Sequence, residues 1–170
     1  MIIGGKAVVV PGRNVDTDVL YPGSYLNVDD AELMKPYLFE GLDPSLREQL
    51  AGDTVLVTGE NFGTGSSREH VPLAMRAWGV RCVLGYSFAR IFHRNCINLG
   101  LAVVSCPDAA AAAKCGSAIE IDTDSGVVMV DGREFAAAPI PQFMLEMLAK
   151  GGLIPWARAR VAVSHGHTQS

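Results

Sequence analysis

Two glycines, two serines and an arginine fall within the eight residues Gly63-Thr64-Gly65-Ser66-Ser67-Arg68-Glu69-His70. The apolar run Thr54-Val55-Leu56-Val57-Thr58 precedes them and a helix-like segment through Trp78 follows, so they sit where a strand hands over to a helix. Such a junction is suited to holding an anion. Glycine lets the backbone turn tightly and approach a ligand, and the first amides of a helix lack internal partners and carry the positive end of its dipole. Arg68 adds a planar fork that can grip a carboxylate through two hydrogen bonds, with Ser67 beside it. Ser66, among amides and near Arg68, has a hydroxyl whose oxyanion those surroundings would stabilise, which is what a serine base requires.

The same residues carry a second reading. Ser66 and Glu69 stand in the S-x-x-E relation of a capping box, which would make Ser66 a helix cap. A helix capped at Ser66 would place Pro72 six residues in, where it removes a hydrogen bond and crowds the carbonyl of Arg68. A start near Glu69 instead puts Pro72 in the first turn and leaves Ser66, Ser67 and Arg68 in the loop. Neither common nucleotide motif fits, because no lysine and no third glycine follow Gly63-Thr64-Gly65, so a nucleotide is disfavoured.

The elements that must position this loop are legible as alternating or continuous apolar runs. Residues 1–10 read as a strand, as do Arg81-Cys82-Val83-Leu84-Gly85 and Leu101-Ala102-Val103-Val104-Ser105. Between them Phe88 to Asn95 reads as a helix with Ile91 and Phe92 inward. Strand, loop, helix, strand, helix, strand in this order predicts parallel pairing with helices on a face. Asp16 and Asp18 lie in a turn-rich segment and read as loop caps; Asp29 reads as the cap of a helix over residues 30–38, and Asp43-Pro44 opens a short exposed stretch. On the helix at Arg90, His93, Arg94 and Asn95, the last two suit packing of the serine loop or a subunit interface better than chemistry, and His93 has no evident partner.

The last third reads as an alanine-rich helix at 109–114, a hairpin of residues 118–122 and 127–131 around Asp124-Ser125-Gly126, and a helix from Pro141 to Gly151-Gly152 with Phe143, Met144, Met147 and Leu148 as a core stripe. Residues 164–170 read as a polar, flexible tail in which His165 and His167 lack anything to complete a metal site.

Composition narrows the function classes. The chain has 170 residues, 49% of them hydrophobic, and net charge −4, ordinary for one soluble domain with a real core. Its 14 basic residues are scattered and outnumbered by 18 acidic ones, which argues against a nucleic-acid partner. No apolar run approaches the eighteen or so residues that cross a bilayer, and the glycine-broken amino terminus reads as a strand, not a signal peptide. Cys82, Cys96, Cys106 and Cys115 form no C-x-x-C pair, which disfavours a disulfide framework, a zinc site or an iron–sulfur site built by this chain alone; free thiols fit a reducing cytoplasm.

The segment Asn61-Phe62-Gly63-Thr64-Gly65-Ser66-Ser67-Arg68-Glu69-His70 resembles the active-site segment of the swivelling domain of the aconitase superfamily. Two further segments, residues 16–26 (Asp16-Thr17-Asp18-Val19-Leu20-Tyr21-Pro22-Gly23-Ser24-Tyr25-Leu26) and residues 87–101 from Ser87-Phe88 to Gly100-Leu101, resemble it as well. Order, spacing and length are similar to the short form of the 3-isopropylmalate dehydratase small-subunit family. The three motifs cover roughly residues 10 to 105; the remainder carries little of the resemblance.

The resemblance implies an α/β fold, a three-layer β/β/α swivelling domain with a mostly parallel central sheet and a C-terminal β-hairpin, over residues 1–163 as a single domain. It implies a hydro-lyase that interconverts 2- and 3-isopropylmalate by dehydration and rehydration in leucine biosynthesis, active only with a large subunit in a heterodimer or heterotetramer. That subunit would carry a [4Fe-4S] cluster, with no metal bound by this chain. By residue, it implies Ser66 as the base, Ser67, Arg68 and Gly65 at the substrate carboxylate, and Asp18 shaping the site. Tyr25, Leu26, Asn27 and Val28 would contact the part of the substrate that differs between relatives. There an arginine at the third position goes with a carboxylate-bearing tail and apolar residues with an isopropyl group; Asn27 followed by Val28 matches neither. That leaves open a related hydro-lyase for 2,3-dimethylmalate, citramalate or a homoaconitate-type acid. A different class of reading is a non-catalytic module that binds a small carboxylate or phosphate.

Overall fold

Runs of β-branched and aliphatic residues form the strands of one mixed sheet. In the computed structural model, which describes residues 1–166 and side chains as far as Ser164, β1 (Ile2–Val10), β2 (Thr54–Thr58), β3 (Val80–Gly85) and β4 (Ala102–Ser105) are followed by β5 (Ala118–Asp122), β6 (Val127–Val130) and β7 (Arg133–Ala136). Their order across the sheet is β4-β3-β2-β1-β5-β6-β7. β1 to β4 pair in parallel, with Val8 opposite Leu56 and Leu56 opposite Val83. β5 turns back antiparallel on the other edge of β1, and β6 and β7 continue as a meander. The parallel half and the C-terminal hairpin are as the sequence implies; β7, short and largely exposed, adds a third strand to the hairpin.

Seven helices cover the sheet: α1 (Thr17–Leu20), α2 (Ala31–Met34), α3 (His70–Ala77), α4 (Arg90–Asn98), α5 (Pro107–Ala112), α6 (Gln142–Lys150) and α7 (Leu153–Gly166). Successive strand side chains point to opposite faces, so each parallel strand feeds two cores. Val8, Val10, Leu56, Val83 and Val103 meet Tyr21, Met34, Phe39, Met75 and Phe92 on one face. Val55, Val57, Cys82, Leu84 and Val104 meet Ala109, Ala110, Met147 and Leu148 on the other. Ile119, Ile121, Val128 and Val130 of β5 and β6 join this second core, so the sheet curls and its antiparallel half closes over the helices beside the parallel half.

Some expected details shift. The residue that caps α2 is Asp30, whose carboxylate accepts the amides of Glu32 and Leu33, not Asp29. That helix stops at Met34 and passes into a 3-10 turn, Lys35–Tyr37, because Pro36 has no amide to extend the ladder. The stretch after Asp43 is a 3-10 turn, Pro44–Gln49, that buries Leu46. Ile91 and Phe143, expected inward, are exposed, and Leu145 takes a buried place on α6. The expected tail begins in helix: α7 runs past residue 163 to Gly166. Residues 167–170, with His167, and the side chain of His165 lie outside the described residues. Among those described, no helix is long and apolar enough to cross a membrane.

Candidate active site

The loops that leave β1, β2 and β3 converge at the C-terminal ends of the parallel strands, where open α/β sheets place their ligands. Backbone hydrogen bonds lace them together. The Gly63 amide donates to the Val15 carbonyl at 2.9 Å and the Thr17 amide to the Thr64 carbonyl at 2.7 Å, while the Phe62 amide reaches the Ser87 carbonyl at 3.1 Å. Both loop glycines have left-handed backbone, with φ +86° at Gly63 and +98° at Gly65, a region that strains residues bearing a Cβ. Space excludes a Cβ as well. At Gly63 it would meet the Phe92 ring at 2.2 Å, and at Gly65 the two Asp16 carboxylate oxygens at 2.6 and 2.7 Å. Asp16 also caps α1, its Oδ1 accepting the Asp18 amide at 2.7 Å.

Between these glycines and α3, Ser66 is half-buried. Its amide donates to Thr17 Oγ1 at 3.0 Å and its Oγ accepts the Arg68 amide at 3.1 Å. The helix opens at His70 with Glu69 as an N-cap that makes no side-chain bond, so the capping box does not form and Pro72 falls in the first turn. The bland reading of Ser66 as a helix cap is therefore displaced by a short turn that leaves its hydroxyl outside the helix. The amides of Ser67 and Glu69 have no acceptor among the described residues. Ser67 is exposed, and its carbonyl is held at 2.8 Å by Nδ2 of buried Asn95 on α4. This is the packing role expected of Asn95.

Asp18, Leu26, Ser66 and Arg68 line one cleft, together with Thr17, Tyr21, His70 and Val71. Arg68 and Asp18 are exposed, and among the described residues the Arg68 guanidinium makes no ion pair. The cleft holds about 10 Å³ of internal room, roughly what one water needs. Gly65 and Ser67 flank it without lining it. Tyr25, Asn27 and Val28 do not line it either: the Tyr25 ring stacks on Tyr37 at 4.0 Å, Val28 packs against the first core, and Asn27 is exposed.

Thr17, Tyr21 and His70 were not singled out for the site from sequence. Burial first, and the neighbouring Tyr37 second, push the Tyr21 phenol above its usual range, so it stays protonated and donates to the Tyr25 carbonyl at 3.0 Å. His70 reaches the Leu26 carbonyl at 3.1 Å. His70 stands inside the quoted motif, but its partner is 44 residues away and no local pattern announces it. His93 lies apart, half-buried in a groove with Arg90, Arg94 and residues of α6 and α7.

The described residues offer no donor set for a metal cluster. Among the described residues no three of His, Cys, Asp and Glu gather, and Cys82, Cys96 and Cys106 are buried while Cys115 is exposed. Burial pushes the Cys82 thiol up to about 12 and Cys96 well above its ordinary value, so both stay neutral thiols packed in the two cores.

Residues 13–109, which contain the whole of this site, match the family model of the aconitase C-terminal domain. The 3-isopropylmalate dehydratase small subunit of Caldanaerobacter subterraneus subsp. tengcongensis is 42% identical over 92% of this chain and 98% of its own length. The 2,3-dimethylmalate dehydratase small subunit of Eubacterium barkeri is 41% identical over 87% of this chain and 92% of its own. A solved structure, 3-isopropylmalate dehydratase from Methanocaldococcus jannaschii, superposes with a TM-score of 0.90 at 34% identity, covering 98% of this chain and 99% of that one. With its site motifs inside the matched region and most of its length shared with these relatives, the chain belongs to the dehydratase small subunits of the aconitase C-terminal domain family.

Proposed function

We propose that this chain is the small subunit of a 3-isopropylmalate dehydratase and that it brings a serine base and a carboxylate grip to a site completed by a large subunit. The observation that carries this is the convergence of Ser66 Oγ, an unpaired Arg68 and Asp18 on one cleft at the strand ends. The reaction removes a proton from a carbon beside a carboxylate and expels hydroxide from its neighbour. Ser66 Oγ, as an alkoxide, takes that proton and returns it in the reverse hydration. The Arg68 amide already points at this oxygen and strengthens as negative charge collects there. Arg68, with Ser67 beside it, holds a substrate carboxylate; the Thr17 hydroxyl fixes the Ser66 backbone, and Gly65 lets the loop lie against Asp16.

Lewis-acid chemistry at the departing hydroxyl belongs in this reading to a [4Fe-4S] cluster on the large subunit, and this chain's part is confined to proton and carboxylate. The narrow cleft supports the division, since a second wall from a partner would give a substituted malate the enclosure that this chain alone lacks. The reading sets the complex in a reducing cytoplasm, and the free thiols of this chain support it. Asn27 leaves the substituent open, and the relative from Eubacterium barkeri makes 2,3-dimethylmalate the second reading.

Reconstitution with a matched large subunit tests this. The isolated chain turns over neither malate derivative; the complex turns over 3-isopropylmalate, and Ser66→Ala lowers kcat about a thousandfold with a much smaller change in KM. Turnover by the isolated chain, or a fully active Ser66→Ala complex, would overturn the proposal.

A further inference from the structure

We infer that His70 is a positioning residue that holds Leu26 against the cleft and thereby sets which substituent on the substrate is accepted; this rests on the dehydratase reading. His70 is the first residue of α3, immediately after the serine loop, and its ring is half-buried. Its Nε2 lies 3.1 Å from the Leu26 carbonyl. A carbonyl only accepts, so Nε2 carries the proton and donates. Nδ1 is buried and has no partner among the described residues, which makes the bond to Leu26 the ring's one polar anchor. The ring lies 5.3 Å from that of Tyr21, tilted by 39°, so its orientation is fixed from the side as well.

The strap it holds packs Tyr25, Leu26 and Val28 against the first core, and its other hydrogen bonds are local. Backbone bonds run from Leu26 to Gly23 and from Val28 to Tyr25, the Tyr21 hydroxyl reaches the Tyr25 carbonyl, and Tyr25 stacks on Tyr37. These shape the strap without fastening it to the serine loop. The bond from His70 spans that gap, and the Leu26 side chain shares the cleft with Ser66 and Arg68. Leu26 therefore stands as an apolar wall that packs against the first core and whose hydrogen-bonded link to the start of α3, next to the serine loop, runs through His70. Apolar walls discriminate by fit, so a small displacement shifts preference between a branched and a compact substituent.

The test compares wild type, His70→Leu and His70→Gln in the reconstituted complex, with 3-isopropylmalate and 2,3-dimethylmalate as substrates. His70→Leu shrinks the ratio of the two kcat/KM values about tenfold, mainly through KM, and His70→Gln, whose amide can donate to the same carbonyl, recovers most of the ratio. In the isolated chain, hydrogen exchange across residues 21–28 quickens in His70→Leu and not in His70→Gln. An unchanged ratio in a folded His70→Leu complex, unchanged exchange in the strap, or no recovery by Gln would overturn the inference. A wild-type complex that converts neither substrate sinks the dehydratase reading instead, while the exchange measurement still reports on the tether.

Discussion

Among the described residues, Arg68 differs from several arginines of this chain in that its guanidinium has nothing to hold. Arg13 pairs with Glu60, Arg47 with Glu40 and the Leu38 carbonyl, and Arg81 donates to the Gly4 carbonyl, whereas Arg68 stands exposed at the cleft with its guanidinium uncommitted. An exposed, unpaired fork beside a serine turn is organised for a ligand carboxylate. Arg68→Lys keeps the charge but loses the two parallel donors. In the reconstituted complex it should raise KM about tenfold or more and lower kcat much less, because the grip is used in the ground state and the transition state alike; steady-state kinetics with 3-isopropylmalate would show it, and an unchanged KM would remove Arg68 from the carboxylate site. At this scale Ser66 and Arg68 were legible because their types and spacing carry the chemistry. Asp16, Thr17 and His70 were not, since each acts through a partner roughly fifty residues away, Thr17 on the Ser66 amide and His70 on the Leu26 carbonyl.

Elements fix where that chemistry sits, and the serine loop is held by what glycine omits. Gly65 has φ +98° with Asp16 oxygens where a Cβ would go, while Gly116 has φ +86° with nothing within 4 Å. Gly116→Ala meets only backbone strain. Gly65→Ala meets the same strain and also displaces the carboxylate that caps α1. Each should lower stability by about 1–3 kcal/mol, read as the denaturant midpoint, but only Gly65→Ala should abolish activity in the complex, because it moves Asp18 and Thr17 relative to Ser66. Equal activity of the two variants would mean that the Asp16 contact does not position the site. Strands β1 to β6, α3 and α6 were readable because their apolar patterns, Pro72 in a first turn and Gly151 at a C-terminus are local signals. α7 was not: Leu153, Ile154, Trp156, Val161 and Val163 leave it without a polar face of its own, so no period marks it as a helix.

Across the whole molecule, β1 is the hinge of the design, pairing in parallel with β2 and antiparallel with β5, and the two cores on either face tie the site-bearing loops to the C-terminal helices. The parallel order was readable from alternating strands and helices, but the curl that joins β5 and β6 to the second core depends on long-range packing that periodicity does not encode. α4 connects the two regions: Asn95 holds the serine loop, and His93 faces the groove against α6 and α7 alongside Arg90 and Arg94. Burial holds His93 below its ordinary value of 6.5, so the unfolded chain binds that proton more readily than the folded one. Stability from a neutral His93 is then fully present above pH 6.5 and is lost as the pH falls through that value toward the lower folded one. His93→Gln cannot titrate, so the Tm of the wild type should fall more steeply than that of the variant between about pH 7 and pH 5. Thermal melts of both proteins over that range check this. Parallel curves would show that the α4–α6–α7 packing tolerates a charged imidazole and does not link the C-terminal helices to pH.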